Sequence, residues 1–391
     1  MVGQGIKIRD VRYTGIRQRY SMRSKWPLMH PGRTALVAAI LSLLLGACAA
    51  RNDQAGTSGD VSACHIIYDA GSSKTRLYVY QSTATGWSRH RGPKTEALAD
   101  PVRAIRGRSM SDAGMVVDEI VSSLEGMRHD GPPGEDGLPK WPAFDWKARC
   151  NIETVAVYAT AGMRLAEQQD AGASAVLWKM LNDQLSSTLG MTVTTRTLTG
   201  YEEGLFAWLA IREGRDDGLF GVAEMGGASV QITFPCPDCI TSRQVKVKGR
   251  SIPVYSYSHL GWGQDEALKK FAPLPACARG VAKKNPGWGI ADCAAGMDLS
   301  SDAAAEVKKY VESHDALRWY LSGAFRYMRS TDIDHFCREG LDSGFQPVTS
   351  CFRAVYLPKM LSTLGVPDTF EATDVDWTLG AVICTATRCL D

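Results

Sequence analysis

Two well-separated stretches of this chain follow one pattern. "YDAGSSKTRLYVY" (Tyr68–Tyr80) and "AEMGGASVQITF" (Ala223–Phe234) each pass from an apolar run through an acid, a glycine turn and hydroxyl residues into a second apolar run. A tight turn between strands needs only the glycine. The acid and hydroxyls ask for a chemical reason. Successive N–H groups in such a turn form a nest that suits phosphate oxygens, and Ser72, Ser73 and Ser229 add donors. Asp69 and Glu224, just before the loops, would repel a bare phosphate unless a cation lay between. They read as metal anchors, direct or through water, for a hard, oxygen-preferring Mg²⁺ or Ca²⁺. One such loop could be an ordinary hairpin turn. Two suggest a pair of similar lobes facing each other.

The rest of the chain supports an α/β class. Strand-like runs are expected at Ile66–Asp69, Leu77–Gln81, Glu153–Gly162 and Met191–Leu198. Helices are expected at Ser111–Met127, Ala173–Leu189, Glu202–Arg212, Ala303–Met328 and Val355–Leu364, and an apolar segment at Val375–Ala386 closes the chain. Asp130–Pro142 reads as loop.

The N-terminus reads as a targeting signal. Eight of the 44 Lys/Arg and one of the 42 Asp/Glu fall in residues 1–33, and residues 34–48 are uncharged, so the chain beyond Cys48 carries a formal charge of −5. That balance argues against a nucleic-acid binder, which needs a basic face. "TALVAAILSLLLGA" (Thr34–Ala47) is short for a membrane span and suits a signal core. Leu45-Gly46-Ala47-Cys48 resembles a bacterial lipobox, which would place a lipid on Cys48 and the protein on a membrane facing the periplasm or exterior. Met22 and Met29 are alternative starts. Residues 49–61 read as a flexible tether.

Export makes the remaining ten cysteines a disulfide framework. Near neighbours pair most economically as Cys236–Cys239, Cys277–Cys293, Cys337–Cys351 and Cys384–Cys389, leaving Cys64 and Cys150, each just before a strand-like run. Zinc at Cys236-x-x-Cys239 is the rival, but no second pair of ligands at zinc spacing follows.

With these residues in view, the chain resembles the apyrase family, the nucleoside triphosphate diphosphohydrolases. Five motifs in the family's order carry the resemblance: "DAGSSKTR" (Asp69–Arg76), "ATAGMR" (Ala159–Arg164), "GYEEGLFAW" (Gly200–Trp208), "GGASVQ" (Gly226–Gln231) and "DWTLGA" (Asp376–Ala381). The resemblance implies two ribonuclease-H-like lobes of the actin-like superfamily, with the site in the cleft. Lobe I would take 62–199 plus 373–391, and lobe II 200–372. It also implies roles. Glu203 falls on the catalytic base that activates water. Ser229 and Gln231 would hold that water or the metal's shell. Gly71, Ser72, Ser73, Thr160, Gly226, Gly227, Ala228 and Ser229 would bind phosphate. Asp69, Thr160 and Trp377 would surround the hydrated metal.

Other residues have plainer readings. Glu202 reads as a solvated first-turn acid and Trp208 as core. Arg76 and Arg164 either touch phosphate or pair with acids. Tyr327 is a candidate for stacking on a base, against a reading as helical core. Glu224 stands where the family usually has Asp, one methylene shorter. The rival functions are an exopolyphosphatase-like phosphatase and a non-catalytic nucleotide-binding lipoprotein.

Overall fold

Side chains in the first strand alternate between two cores. In β1 (Ser62–Ala70), Ile66 and Tyr68 join one buried cluster and Ile67 another. A strand covered on both faces belongs inside a layered α/β structure. The computed structural model describes residues 61–215, 219–271, 274–330, 334–339 and 349–390. The expected signal, the lipobox at Cys48 and nearly all of the tether lie outside the described residues.

The first sheet is formed by β1, β2 (Thr75–Thr83), β3 (Gly86–Thr95), β4 (Cys150–Ala159) and β5 (Thr194–Thr197), in the order β3-β2-β1-β4-β5. β2 is antiparallel to β1 and β3, whereas β4 is parallel to β1 and β5. Helices α1 (Asp100–Arg103), α2 (Ala113–Gly126) and α3 (Trp146–Arg149) lie between β3 and β4; α4 (Ala161–Gln169) and α5 (Ala171–Leu189) lie between β4 and β5. Val116, Val117 and Ile120 of α2 and Leu177, Leu181 and Leu185 of α5 bury one face of this sheet.

After α6 (Gly200–Arg212) the same plan repeats. The second sheet contains β6 (Phe220–Met225), β7 (Ser229–Pro235), β8 (Arg243–Val247), β9 (Arg250–Leu260), β10 (Arg318–Gly323) and β11 (Phe370–Ala372). Its order is β11-β10-β6-β7-β9-β8, with β7 antiparallel to β6 and β9, and β10 parallel to β6 and β11. Read from β9 to β11, it repeats the first sheet strand for strand. β8 is an added edge. Helices α7 (Gln264–Phe271), α8 (Val281–Lys284), α9 (Ile290–Ala295), α10 (Asp302–Glu312) and α11 (Ser350–Thr363) complete this half, and α12 (Trp377–Thr387) ends the chain. Val307 of α10 and Tyr356 of α11 join the core under this sheet.

A third buried cluster joins the halves. It unites Ile67, Tyr78 and Tyr80 of the first sheet, Phe220 and Val222 of the second, Leu205 and Trp208 of α6, and Ala381 and Val382 of α12. Helices α6 and α12 thus share the apolar layer that both sheets contribute to. The first motif sits at the β1–β2 turn and the fourth at the β6–β7 turn, the matching corner of each sheet.

The five disulfides pair as the spacing suggested, including Cys64–Cys150 between neighbouring strands β1 and β4. The Cys236–Cys239 pair is therefore a disulfide rather than a zinc site. One expected helix is corrected. Ala303–Met328 is helical only to Glu312, and Arg318–Gly323 forms β10 inside the second sheet. Its Trp319-Tyr320-Leu321 run is buried on both faces, so it carries neither helical nor strand period. Among the described residues no helix is long and apolar enough to cross a membrane.

Candidate active site

The two glycine loops close with the same backbone bond. Gly71 N–H donates to Lys74 C=O at 3.1 Å, and Gly226 N–H donates to Ser229 C=O at 3.0 Å. They also meet. A methyl group built on Gly227 would lie 2.5 Å from Ser72 Oγ, and one on Gly162 would lie 2.7 Å from Ser72 Cα. Gly71, Ser72 and Ser73 therefore come together with Thr160, at the cap of α4, and with Gly226, Gly227, Ala228 and Ser229. Thr160 is buried, and its N–H donates to Ala70 C=O at 3.3 Å.

Helix α6 brings in Glu203. Thr199 and Glu202 form a capping box that starts the helix, and Arg196 pairs with Glu202 at 2.7 Å. Glu202 is thus tied into the helix start rather than solvated. Gly200 and Gly204, one turn apart, lie against the hydroxyl-bearing Ser258 and Ser256 of β9. Any side chain there would push α6 away from the sheet. This close seat leaves Glu203 buried at 4% exposure. Arg164 Nη2 donates to Glu203 Oε2 at 2.5 Å and to Ser229 Oγ at 3.2 Å. Gln231 Nε2 donates to Ser229 Oγ at 2.5 Å and to Ser258 Oγ at 3.0 Å. Glu203, Ser229 and Gln231 are therefore one connected chain, linked through Arg164 and Ser229 Oγ.

Asp69 and Glu224, the two acids expected to anchor a metal, lie at equivalent places near the ends of their strands. Asp69 is buried and accepts from Arg76 Nη1 at 3.2 Å. Glu224 Oε2 is buried without a hydrogen-bond partner. Gly323 makes room for the longer acid: its φ is +60°, and a Cβ there would stand 3.1 Å from Glu224 Oε1. A fourth carboxylate, Asp376, was not among the sequence candidates. It caps α12 through Thr378 N–H and accepts from Tyr78 OH at 2.5 Å. Its neighbour Trp377 begins α12 and is buried.

These acids feel one another. Burial pushes the Asp69 carboxyl up to about 7; Arg76 opposes the shift, and Asp376 and Glu203 add to it. Glu203 is raised by burial against the pull of Arg164. Glu224 is raised well above the usual carboxylate range by burial, then by Glu203, Asp69 and Asp376. Four acids face two arginines, Arg76 and Arg164, each bound to an acid. The surplus negative charge and the unpartnered Glu224 oxygen suit a hard divalent cation. The acids do not crowd into direct ligation. Among the described residues, the one set of three ligand atoms within 4.8 Å is Cys236, Asp238 and His314, and its cysteine is in a disulfide.

Tyr327 lies elsewhere and is not helical core. It is 53% exposed, on a hollow of about 460 Å³ shared with Arg91, Arg326, Ala372, Thr373 and Asp374. Trp208 is core, fully buried beside Phe220.

Two mixed sheets of matching strand order, with matching loops meeting beside shared acids, define an α/β protein built on a repeated sheet. Residues 146–275 match the profile of the GDA1/CD39 (nucleoside phosphatase) family. The chain is 30% identical over 225 residues to ectonucleoside triphosphate diphosphohydrolase 8 of Rattus norvegicus, covering 52% of this chain and 42% of the relative. It is 28% identical over 242 residues to the Bos taurus protein of the same name, covering 56% and 46%. The chain thus matches less than half the length of these relatives. Among solved structures, an Aquifex aeolicus PPX-GPPA enzyme aligns at 12% identity and TM-score 0.49, covering 82% of this chain and 99% of that one.

Proposed function

We propose that this protein hydrolyses the terminal phosphates of nucleoside tri- and diphosphates, ending at the monophosphate. The observation that carries the reading is the meeting of the two glycine loops, Ser72 against Gly227, beside four interacting carboxylates, of which Asp69 and Glu203 are buried and Glu224 and Asp376 half-buried. Phosphoryl transfer asks mainly for positioning and charge neutralisation. The loops grip phosphate through N–H groups and the hydroxyls of Ser72, Ser73, Thr160 and Ser229. Glu203 takes the proton of the attacking water, which Ser229 and Gln231 hold in line. Arg164 fixes the orientation of Glu203 through its 2.5 Å contact. A Glu of raised proton affinity suits general-base work near neutral pH. Asp69, Glu224 and Asp376 would hold a divalent cation, which would offset phosphate charge. Tyr327 stacks on the base. The family and the names of the relatives support nucleotide substrates. The disulfides suit an exported protein, anchored by lipid on Cys48.

The test is phosphate release from ATP, ADP, AMP and polyphosphate, with Mg²⁺, Ca²⁺ or EDTA. Release from ATP and ADP but not AMP, abolished by EDTA, is expected. Release from polyphosphate alone would replace the reading with a polyphosphatase, and tight nucleotide binding without turnover would replace it with a binding protein.

A further inference from the structure

Each glycine loop is held from behind by an ionic strut that the five motifs do not include. A trans peptide points its C=O and the next N–H in opposite directions. Pinning a loop's carbonyls therefore aims the following N–H groups to the other side.

In the second loop the pins are complete. Gln264 N–H donates to Gly226 C=O at 3.1 Å. Asp265 and Glu266 N–H donate to Gly227 C=O at 2.8 and 3.1 Å. Gly261 N–H donates to Ala228 C=O at 2.8 Å. The N–H groups of Gly227 and Ala228 are thereby turned away from α7. The start of α7 is in turn held by Arg353 of α11. Its guanidinium donates to Gln264 Oε1, to Asp265 Oδ1 at 3.1 Å and to Thr349 Oγ1 at 3.1 Å, and the residue is buried at 6% exposure. A buried guanidinium carries a desolvation cost that simple helix packing would not demand. A neutral side chain would fill the same volume.

The first loop has a counterpart. Arg106 Nη2 donates to Ser72 C=O at 2.6 Å, which turns Ser73 N–H the opposite way. Arg106 is itself held by Asp100, with Nε donating to Oδ2 at 2.5 Å, and Asp100 is 2% exposed. Arg106 and nearby Ala104 sit at φ +53° and +49°, a left-handed conformation that is unfavourable for a residue with a Cβ. The surroundings must hold that conformation in place. The struts also touch: Arg103 of α1 donates to Glu266 of α7 at 2.9 Å.

We propose that Arg106 and Arg353 are positioning residues for phosphate binding. Together with the Arg103–Glu266 bridge they form a brace behind the two loops. It aims the N–H groups of Ser73, Gly227 and Ala228 and sets the spacing between the loops. The proposal rests on the phosphate-loop reading above. It requires only that the loops bind phosphate, and any turnover follows from that.

The experiment compares purified full-length protein with Arg106→Gln, Arg353→Lys and Arg353→Met. The readouts are ATP kinetics, binding of tripolyphosphate by calorimetry, and melting temperature. Arg106 is half-exposed, so Arg106→Gln should fold even if Arg353→Met does not. The expected result is a fall in kcat of roughly tenfold or more and a Kd for tripolyphosphate weakened by a similar factor. Arg353→Lys should recover part of each loss relative to Arg353→Met. Misplacing a positioned group by ~1 Å can cost on the order of 100-fold. A lowered melting temperature with kcat and tripolyphosphate affinity unchanged would overturn the proposal and leave a purely structural role. If the wild type hydrolyses no nucleotide, the proposed function fails. The brace is then judged on tripolyphosphate affinity alone: weaker binding in the variants supports it, and equal binding overturns it.

Discussion

Gly380→Ala is the sharpest test of how α6 and α12 build the site. The two helices pass so closely that a methyl group on Gly380 would stand 2.6 Å from the carbonyl carbon of Phe206 and 2.8 Å from its Cα, with the carbonyl oxygen nearer still. Real Cβ contacts stay above 3.0 Å, and the obstacle is backbone that cannot rotate aside. One helix must retreat by ~1 Å, which places the change at the severe end of overpacking, about 3 kcal/mol. The retreat acts on function because α6 carries Glu203 three residues before Phe206, and Asp376 caps α12 one turn before Gly380. We expect a melting temperature lower by roughly 5 °C or more. Phosphate release per folded molecule should fall by on the order of 100-fold. The control is Gly114→Ala in α2, where the nearest atom to the new methyl is Met180 Cε at 4.0 Å. It should gain about 0.5–1 kcal/mol from helix propensity. Wild-type melting and turnover in Gly380→Ala would refute the close packing of the two helices.

Other expectations follow from separate features. Replacing Cys64 and Cys150 together by Ser opens a loop of 86 residues and should cost about 2–5 kcal/mol, read by urea unfolding; an unchanged midpoint would show that β1 and β4 hold without the bridge. Burial lowers the His259 pKa from 6.5 to about 4, so the unfolded chain takes up the proton first as pH falls. Its contribution is complete above pH 6.5 and is lost as pH falls towards 4, by up to about 3 kcal/mol. His259→Gln should flatten that part of the stability profile. Excess EDTA should stop hydrolysis, and full activity in EDTA would remove the cation from the scheme.

Much of the fold was legible because its signals are local. The hairpin tips, the strand runs around them and four of the five cysteine pairs lie within short windows, and the echo between Asp69–Tyr80 and Glu224–Phe234 foretold a repeated sheet. What escaped the sequence is set by distant contacts. Trp319–Leu321 forms a strand because β6 and β11 flank it. Asp376 stands in the sequence only as the first residue of the fifth motif, and its place beside Tyr78, with Asp69 and Glu203 near, appears only once α12 packs against the first sheet. Arg164 offered acid or phosphate as partners, and the choice of Glu203 depends on the seat of α6. Helical spacing offers Tyr327 as core as readily as a base-stacking residue, but β10 ends at Gly323 and leaves it at the surface.

The most direct measurement is ATP binding and turnover by Glu203→Gln. The substitution keeps the side chain's size and its contact with Arg164 while removing its capacity to take a proton. Loss of a general base typically costs 100- to 10,000-fold, roughly. The account predicts a kcat reduced within that range, with ATP affinity by calorimetry within about threefold of wild type. Wild-type turnover in Glu203→Gln would contradict it, and the water-activating group would have to be sought among Asp69, Glu224 and Asp376.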